Sequence, residues 1–137
     1  MIRARKVREI ALQILFAWDS AGEADEKTSL QIAADASEDA NTRMRAYEAA
    51  TKTWEYRVQA DAWVERLAPQ WPPKRQPLVD RNLIRMALWE LTGGQTPAKV
   101  VLDEAIEIAK LYSTENSPAF VNGVLDAALK EIEALKS

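Results

Sequence analysis

Basic side chains are concentrated in the first eight residues, MIRARKVR, which hold Arg3, Arg5, Lys6 and Arg8 and no acid. The whole chain has 18 basic and 21 acidic residues, for a formal net charge of -3. Such cations can pair with phosphates and release condensed counterions, and arginine can also stack on a base. The acidic remainder argues against diffuse nucleic-acid binding, so any such binding is expected to be local.

The basic residues lead directly into a predicted helix with two distinct faces. Its apolar positions recur at steps of three and four, which predicts one buried stripe: Val7, Ile10, Ala11, Ile14, Leu15 and Trp18. Phe16 lies on the other face with Arg5, Arg8, Leu12 and Asp19. An exposed aromatic there can stack a base, worth about 1–3 kcal/mol. Charge alone also fits a frayed, solvated tail.

The chain lacks residue types on which several common catalytic mechanisms depend. The chain has no cysteine and no histidine, which excludes disulfides, thiolate nucleophiles and imidazole ligands. Asp103, Glu104 and Glu107 could supply paired carboxylates, but helical metal sites usually add a histidine from Glu-x-x-His. No glycine-rich phosphate loop or nucleophile elbow is present. We expect a protein that is not an enzyme and needs no cofactor or metal.

Length and hydropathy predict one domain over residues 1–137. No apolar run reaches the ~18 residues of a membrane span. The basic start does not lead into a signal peptide, because Gln13 and Asp19 interrupt the apolar stretch that follows. We therefore expect a cytoplasmic protein without a membrane partner.

Helical periodicity over most of the chain predicts an all-α fold of six or seven helices. The acid-rich stretch 20–39 is expected to be a solvated connector, with a short helix around Leu30 and Ile32 as the alternative. A long helix is predicted at 40–68, ending near Pro69. Its apolar face is assigned to six residues: Met44, Tyr47, Thr51, Trp54, Val58 and Ala62. PQWPPKRQP, with four prolines in nine residues, is predicted to be a stiff linker.

Three further helices are expected in the last sixty residues. One spans about 79–92 and stops at Gly93-Gly94. Thr96-Pro97 and Ser117-Pro118 are predicted to start the next two. The predicted core positions are Ile84, Ala87, Leu88, Leu91, Val101, Ala105, Ile108, Ala109, Tyr112, Phe120, Val121, Val124, Leu125, Ala128 and Ile132. Gly123, inside the last helix, predicts a close helix crossing, since glycine there costs about 1 kcal/mol against alanine.

The order of motifs resembles the NusB family of transcription antitermination factors. The motifs are ALQILFAWD after the basic start, then DRNLIRMALWEL, TPAKVVLDEAIEIAK and SPAFVNGVLD. The resemblance implies a compact fold of two packed helical subdomains. It also implies binding of single-stranded boxA RNA from ribosomal RNA leaders together with ribosomal protein NusE. Such a pair joins an antitermination complex on RNA polymerase, and the family is not enzymatic.

The resemblance also implies site residues. Arg3, Arg5, Lys6 and Arg8 fall in the family's RNA-binding basic start, and Phe16 stands where a tyrosine is common. The loop before the last helix carries Asn116, expected near the RNA. Asp80 begins the helix associated with the NusE-binding face, although a helix-dipole acid is an equal interpretation.

Other functions fit the same residues. A helical adaptor could bind a protein partner through its tryptophans and acidic surface without RNA. RNA methyltransferases carry a NusB-like domain, so a separated fragment of one is a further alternative. The sequence also leaves open whether the chain forms a homodimer.

Overall fold

A computed structural model of the chain describes residues 5–136. This part of the chain contains α-helices and one short 3-10 helix, and no strand. Their bounds are α1 Arg5–Ala21, α2 Glu26–Ala36, α3 Ala40–Leu67, the 3-10 helix Pro73–Arg75, α4 Leu78–Gly93, α5 Ala98–Tyr112 and α6 Ser117–Lys136. None of the described helices is long and apolar enough to cross a membrane.

The helices form two packed groups that share α4. Helices α1, α2 and α3 pack on one another, and so do α4, α5 and α6. Helix α4 also packs against α1 and α3, and most of its residues are buried. The predicted all-α fold of two helical subdomains is confirmed.

Helix α1 buries the stripe expected from its periodicity, from Val7 to Trp18. The Trp18 ring meets Tyr47 and Trp54 edge-on, at centroid distances of 6.4 and 5.8 Å. Its indole Nε1 donates a hydrogen bond to the Asp25 carbonyl at 2.9 Å. Trp18 therefore joins α1 both to α3 and to the start of α2.

Residues 26–36 form a helix. The expectation that residues 20–39 are a solvated connector was therefore wrong, and the alternative of a short helix around Leu30 and Ile32 is confirmed. Asp25 caps this helix by accepting the Lys27 backbone N–H at 3.1 Å. The hydrogen bond from the Thr28 hydroxyl is the main cause that lowers the Asp25 pKa. Only Ser29 and Ala33 are buried. Two small side chains one turn apart give too weak an apolar pattern to reveal the helix.

Helix α3 has the predicted bounds but turns a different face to the core. Met44 and Val58, both assigned to that face, are 63% and 71% exposed. The buried positions are mostly small: Ala46, Ala49, Ala50, Thr53, Ala60 and Val64. Small side chains let α3 lie close to α1 and α4, while Tyr47 and Trp54 pack half-buried at the edge. The buried face of α3 was predicted wrongly because the prediction assigned the large apolar residues to the core.

A network of ion pairs joins α4 to both α1 and α3. Arg81 Nη2 lies 2.7 Å from Asp19 Oδ2, and Arg85 Nη2 lies 2.6 Å from Asp61 Oδ2. Asn82 Nδ2 also donates to Asp19 Oδ2 at 2.9 Å. Because each buried charge has an opposite partner, the network fixes the orientation of α4 without leaving an unpaired ion.

The ends of the last three helices partly match the prediction. Helix α4 stops at Gly93, and Gly94 takes a left-handed conformation (φ +69°) that suits glycine. Thr96 does not cap α5, since Pro97 occupies the cap position without a side-chain hydrogen bond. The predicted core of α6 is buried, except that Phe120 is only half-buried. The prediction of a close helix crossing at Gly123 was wrong, because a Cβ added there would meet no atom within 4 Å.

Candidate nucleic-acid interface

The described basic start presents two exposed cations, Arg5 and Lys6. Arg5 Nε donates to Glu104 Oε2 on α5 at 2.7 Å, and this hydrogen bond is the main cause that raises the Arg5 pKa. The Arg5 side chain stays 44% exposed, so it can still meet a second anion. No carboxylate of residues 5–136 lies within 4 Å of the Lys6 ammonium. Arg3 lies outside the described residues.

Arg8 faces the interior instead of the solvent. Its Nε donates to Glu90 Oε2 at 3.0 Å and its Nη2 donates to Glu90 Oε1 at 2.9 Å. The Arg8 and Glu90 side chains are 2% and 4% exposed. A strand of RNA cannot reach a guanidinium in this position, so Arg8 is removed from the expected RNA contacts. Arg8 lies only one turn from Arg5, but at a point where α4 packs against α1 and Glu90 meets it.

Phe16 is exposed, as expected, and lines an apolar pocket with Tyr112. Leu12 and Val79 complete its apolar wall, and Glu9 lies at its edge. The Tyr112 hydroxyl donates to Glu9 Oε2 at 2.6 Å, and this hydrogen bond is the main cause that raises the Tyr112 pKa. Tyr112, which periodicity assigned to the core, is 48% exposed. Two aromatic side chains therefore offer surface at one pocket.

Asp80 is buried beneath the loop that carries Asn116. Its side chain accepts hydrogen bonds from the hydroxyls of Ser113 and Ser117, the latter at 2.8 Å. The Ser117 oxygen also accepts the Thr114 backbone N–H at 3.2 Å. Asp80 is only 3% exposed and its carboxylate is engaged by these hydroxyls, so its expected role in binding NusE stays a prediction. Its contacts hold the loop between α5 and α6 against α4, with Asn116 exposed above it.

A second pocket is lined in part by that loop. Trp71 and Phe120 line it together with Asn116 and Pro77. Both pockets draw on the first turn of α4, since Val79 lines the first and Asp80 lines the second. Each pocket thus contains two aromatic side chains and a residue from the first turn of α4.

The acidic residues considered as carboxylate ligands are engaged in ion pairs. Asp103 lies 3.0 Å from Lys99, Glu107 lies 3.2 Å from Lys110, and Glu104 pairs with Arg5. Within residues 5–136, no group of three or more Asp, Glu, His or Cys side chains is placed to hold a metal ion. These carboxylates stabilise helix surfaces by modest amounts.

The NusB family model matches residues 5–130. The chain belongs to the NusB family. The transcription antitermination protein NusB of Solibacter usitatus is 38% identical over 134 residues, covering 96% of this chain and 92% of that protein. Its Chloroflexus aggregans counterpart is 38% identical over 123 residues, covering 88% of this chain and 82% of that protein.

Solved structures share the NusB fold. NusB of T. maritima is 34% identical and superposes with a TM-score of 0.80, covering 96% of this chain and 94% of that one. A chain from the complex of antitermination factors NusB and NusE with dsRNA gives a TM-score of 0.82 at 22% identity, covering 93% of this chain and 96% of that one. At that identity the second likeness concerns the fold alone.

Two features of this NusB-family chain escaped prediction from sequence. Tyr112 was missed as a surface aromatic because its spacing continues the apolar stripe of α5. Glu90 held a usable signal, since it is an acid between Trp89 and Leu91 in the apolar second half of α4. An acid in such a place needs a buried partner, and Arg8 is that partner.

Proposed function

We propose that this chain is a transcription antitermination factor that binds single-stranded boxA RNA from ribosomal RNA leaders. It acts as one RNA-binding domain in the cytoplasm, together with ribosomal protein NusE, in an antitermination complex on RNA polymerase. It catalyses no reaction and needs no cofactor. Membership of the NusB family supports this proposal, and so do the names of its relatives. A structural neighbour forms a complex with NusE and dsRNA, which supports RNA and NusE as the class of partner.

The observation that carries the proposal is the placement of cations and aromatics along one face of α1. Arg5 and Lys6 are exposed at its start. Phe16, eleven residues after Arg5, is exposed beside Tyr112 of α5. At 1.5 Å per helical residue, these groups are about 16 Å apart along the axis. A single strand can therefore place phosphates at the cations and a base on the aromatic pocket. Arg3 comes before α1 in the sequence, and Asn116 lies in the loop between α5 and α6. Both are proposed as further RNA contacts.

Fluorescence anisotropy with boxA RNA and a scrambled RNA, with and without NusE, tests the proposal. Three phosphate contacts from Arg3, Arg5 and Lys6 give a slope of log affinity against log salt of roughly -2. Replacing all three by alanine should remove most of that slope, and Phe16→Ala should weaken binding by about 1–3 kcal/mol. The matched control is Lys27→Ala with Arg45→Ala and Lys52→Ala, which removes three exposed cations from α2 and α3.

The outcomes separate the candidate functions. Equal affinity for boxA and scrambled RNA, with NusE supplied, would refute boxA recognition. Association with NusE in the absence of any RNA affinity would instead support the protein adaptor. Loss of affinity in the control variant equal to that in the Arg3, Arg5 and Lys6 variant would show that only net charge matters.

A further inference from the structure

The connector between α3 and α4 carries a second group of exposed cations beside an aromatic. From Arg66 to Val79 the sequence contains no acid, although acids outnumber bases in the chain as a whole. Lys74 and Arg75 are exposed, and no carboxylate of residues 5–136 lies within 4 Å of either charged group. Trp71, three residues before Lys74, is 44% exposed. Within the described residues, neither charged group is therefore engaged in an ion pair with a carboxylate.

The connector is held in one shape by its own hydrogen bonds. The Trp71 N–H donates to the Ala68 carbonyl at 3.0 Å, and Gln76 Nε2 donates to the Trp71 carbonyl at the same distance. The Arg75 N–H donates to the Pro72 carbonyl at 2.9 Å. The prolines of this stretch restrict the backbone further. A surface ordered before binding loses little conformational entropy when a ligand arrives.

The connector shares a pocket with Asn116, one of the proposed RNA contacts. Trp71 shares its pocket with Phe120 and Asn116. The first turn of α4 contributes Asp80 to this pocket and Val79 to the pocket that Phe16 and Tyr112 line. Lys74 and Arg75 are at most four residues from Trp71, hence within about 14 Å of it even in a fully extended chain. Bases and phosphates of one strand can therefore meet the aromatic and the cations together.

We propose that Trp71, Lys74 and Arg75 form a second subsite for single-stranded RNA. A base stacks on Trp71 in the pocket shared with Phe120, and the adjoining phosphates pair with Lys74 and Arg75. This inference rests on the proposed function and lengthens the RNA path beyond α1. The unpaired positive charge favours a polyanion as the occupant over an apolar protein segment.

The test compares variants of the full chain in anisotropy titrations over a range of salt. The probes are boxA RNA and boxA RNA extended at each end in turn. Lys74→Ala with Arg75→Ala should reduce the steepness of the salt slope by about 1.4, since each single-strand contact contributes about 0.7. The control Lys27→Ala with Arg45→Ala makes the same change in net charge on α2 and α3 and should leave the slope unchanged.

The aromatic part has its own variants. Trp71→Ala should weaken binding of the extended RNA about tenfold, whereas Trp71→Phe should keep most of the affinity because it retains a stacking ring. Thermal melts matching wild type show that these exposed substitutions leave the fold intact. The loss of affinity in Trp71→Ala should appear with only one of the two extended RNAs. The end that carries the effective extension shows in which direction the strand runs.

Three results would overturn the subsite. If the Lys74 and Arg75 variant keeps the wild-type slope while Arg5→Ala with Lys6→Ala loses affinity, the subsite is refuted and the proposed function stands. If the connector variants lose NusE association but bind RNA normally, the connector is a protein-binding surface instead. If wild type fails to bind any boxA probe, the subsite and the proposed function fall together.

Discussion

Arg8 and Glu90 form a two-pronged ion pair in the interface between α1 and α4, with N–O distances of 2.9 and 3.0 Å. The two residues are 82 positions apart in sequence, and both side chains are almost wholly buried. The pair therefore links the first helical group to the second. It also separates Arg8 from its basic neighbours Arg5 and Lys6, which stay at the surface.

Arg8→Ala is expected to destabilise the protein by about 3–5 kcal/mol, because it leaves the Glu90 carboxylate buried without its Arg8 partner. Arg5→Ala, which removes an exposed ion pair, should change stability far less than Arg8→Ala. Urea denaturation measures both. Replacing Arg8 by methionine and Glu90 by leucine together should recover most of the lost stability. If Arg8→Ala and Arg5→Ala proved equally stable, the structural role of Arg8 would be contradicted.

Asp80→Asn is expected to lower stability by about 1–3 kcal/mol and loosen residues 113–117, because the buried carboxylate accepts two hydroxyl hydrogen bonds. Hydrogen exchange of the loop amides, together with denaturation, reports both effects. In a double-mutant cycle, Ser117→Ala should cost little more once Asp80 is replaced. Loss of NusE binding with unchanged stability and loop exchange would instead favour direct contact between Asp80 and the partner.

Much of the fold follows from the periodicity of large apolar residues. The buried stripes of α1 and α6 were predictable because Ile, Leu and Val recur there at helical spacing. Helix α2 and the buried face of α3 were not, because alanine and serine fill those interfaces and carry little hydrophobic signal. Tertiary packing, not local pattern, decides which face of α3 is buried.

The candidate site was predictable only where it is local in sequence. Arg5, Lys6 and Phe16 lie on one helix, and each is exposed as its position suggested. The burial of Arg8 and of Asp80 depends on partners 82 and 37 residues away, which no local spacing reveals. Tyr112 is exposed because the last turn of α5 extends to the rim of the pocket beside Phe16.

Tyr112 is expected to ionise at a higher pH than an ordinary tyrosine, since its hydroxyl donates to Glu9 and the charged form would face a carboxylate. With its pKa raised in the folded state, its stabilising contribution is full below the ordinary value near 10 and is lost as pH rises through the folded value. Alkaline absorbance titration of wild type minus Tyr112→Phe isolates this group from the other tyrosines. Glu9→Ala should move the midpoint down, and a wild-type midpoint at or below the ordinary value would contradict the contact.

Gly123→Ala is expected to stabilise the protein by up to about 1 kcal/mol, because the position lies inside α6, has no positive φ and is surrounded by open space. Alanine there loses less conformational entropy on folding and meets no neighbouring atom. The control is Gly94→Ala, where φ is +69° and a side chain is strained, so that variant should lose stability. Thermal and urea unfolding compare the two. A destabilised Gly123→Ala protein would mean that the surface of α6 is closely covered in solution, as a tight crossing or a bound second molecule would require.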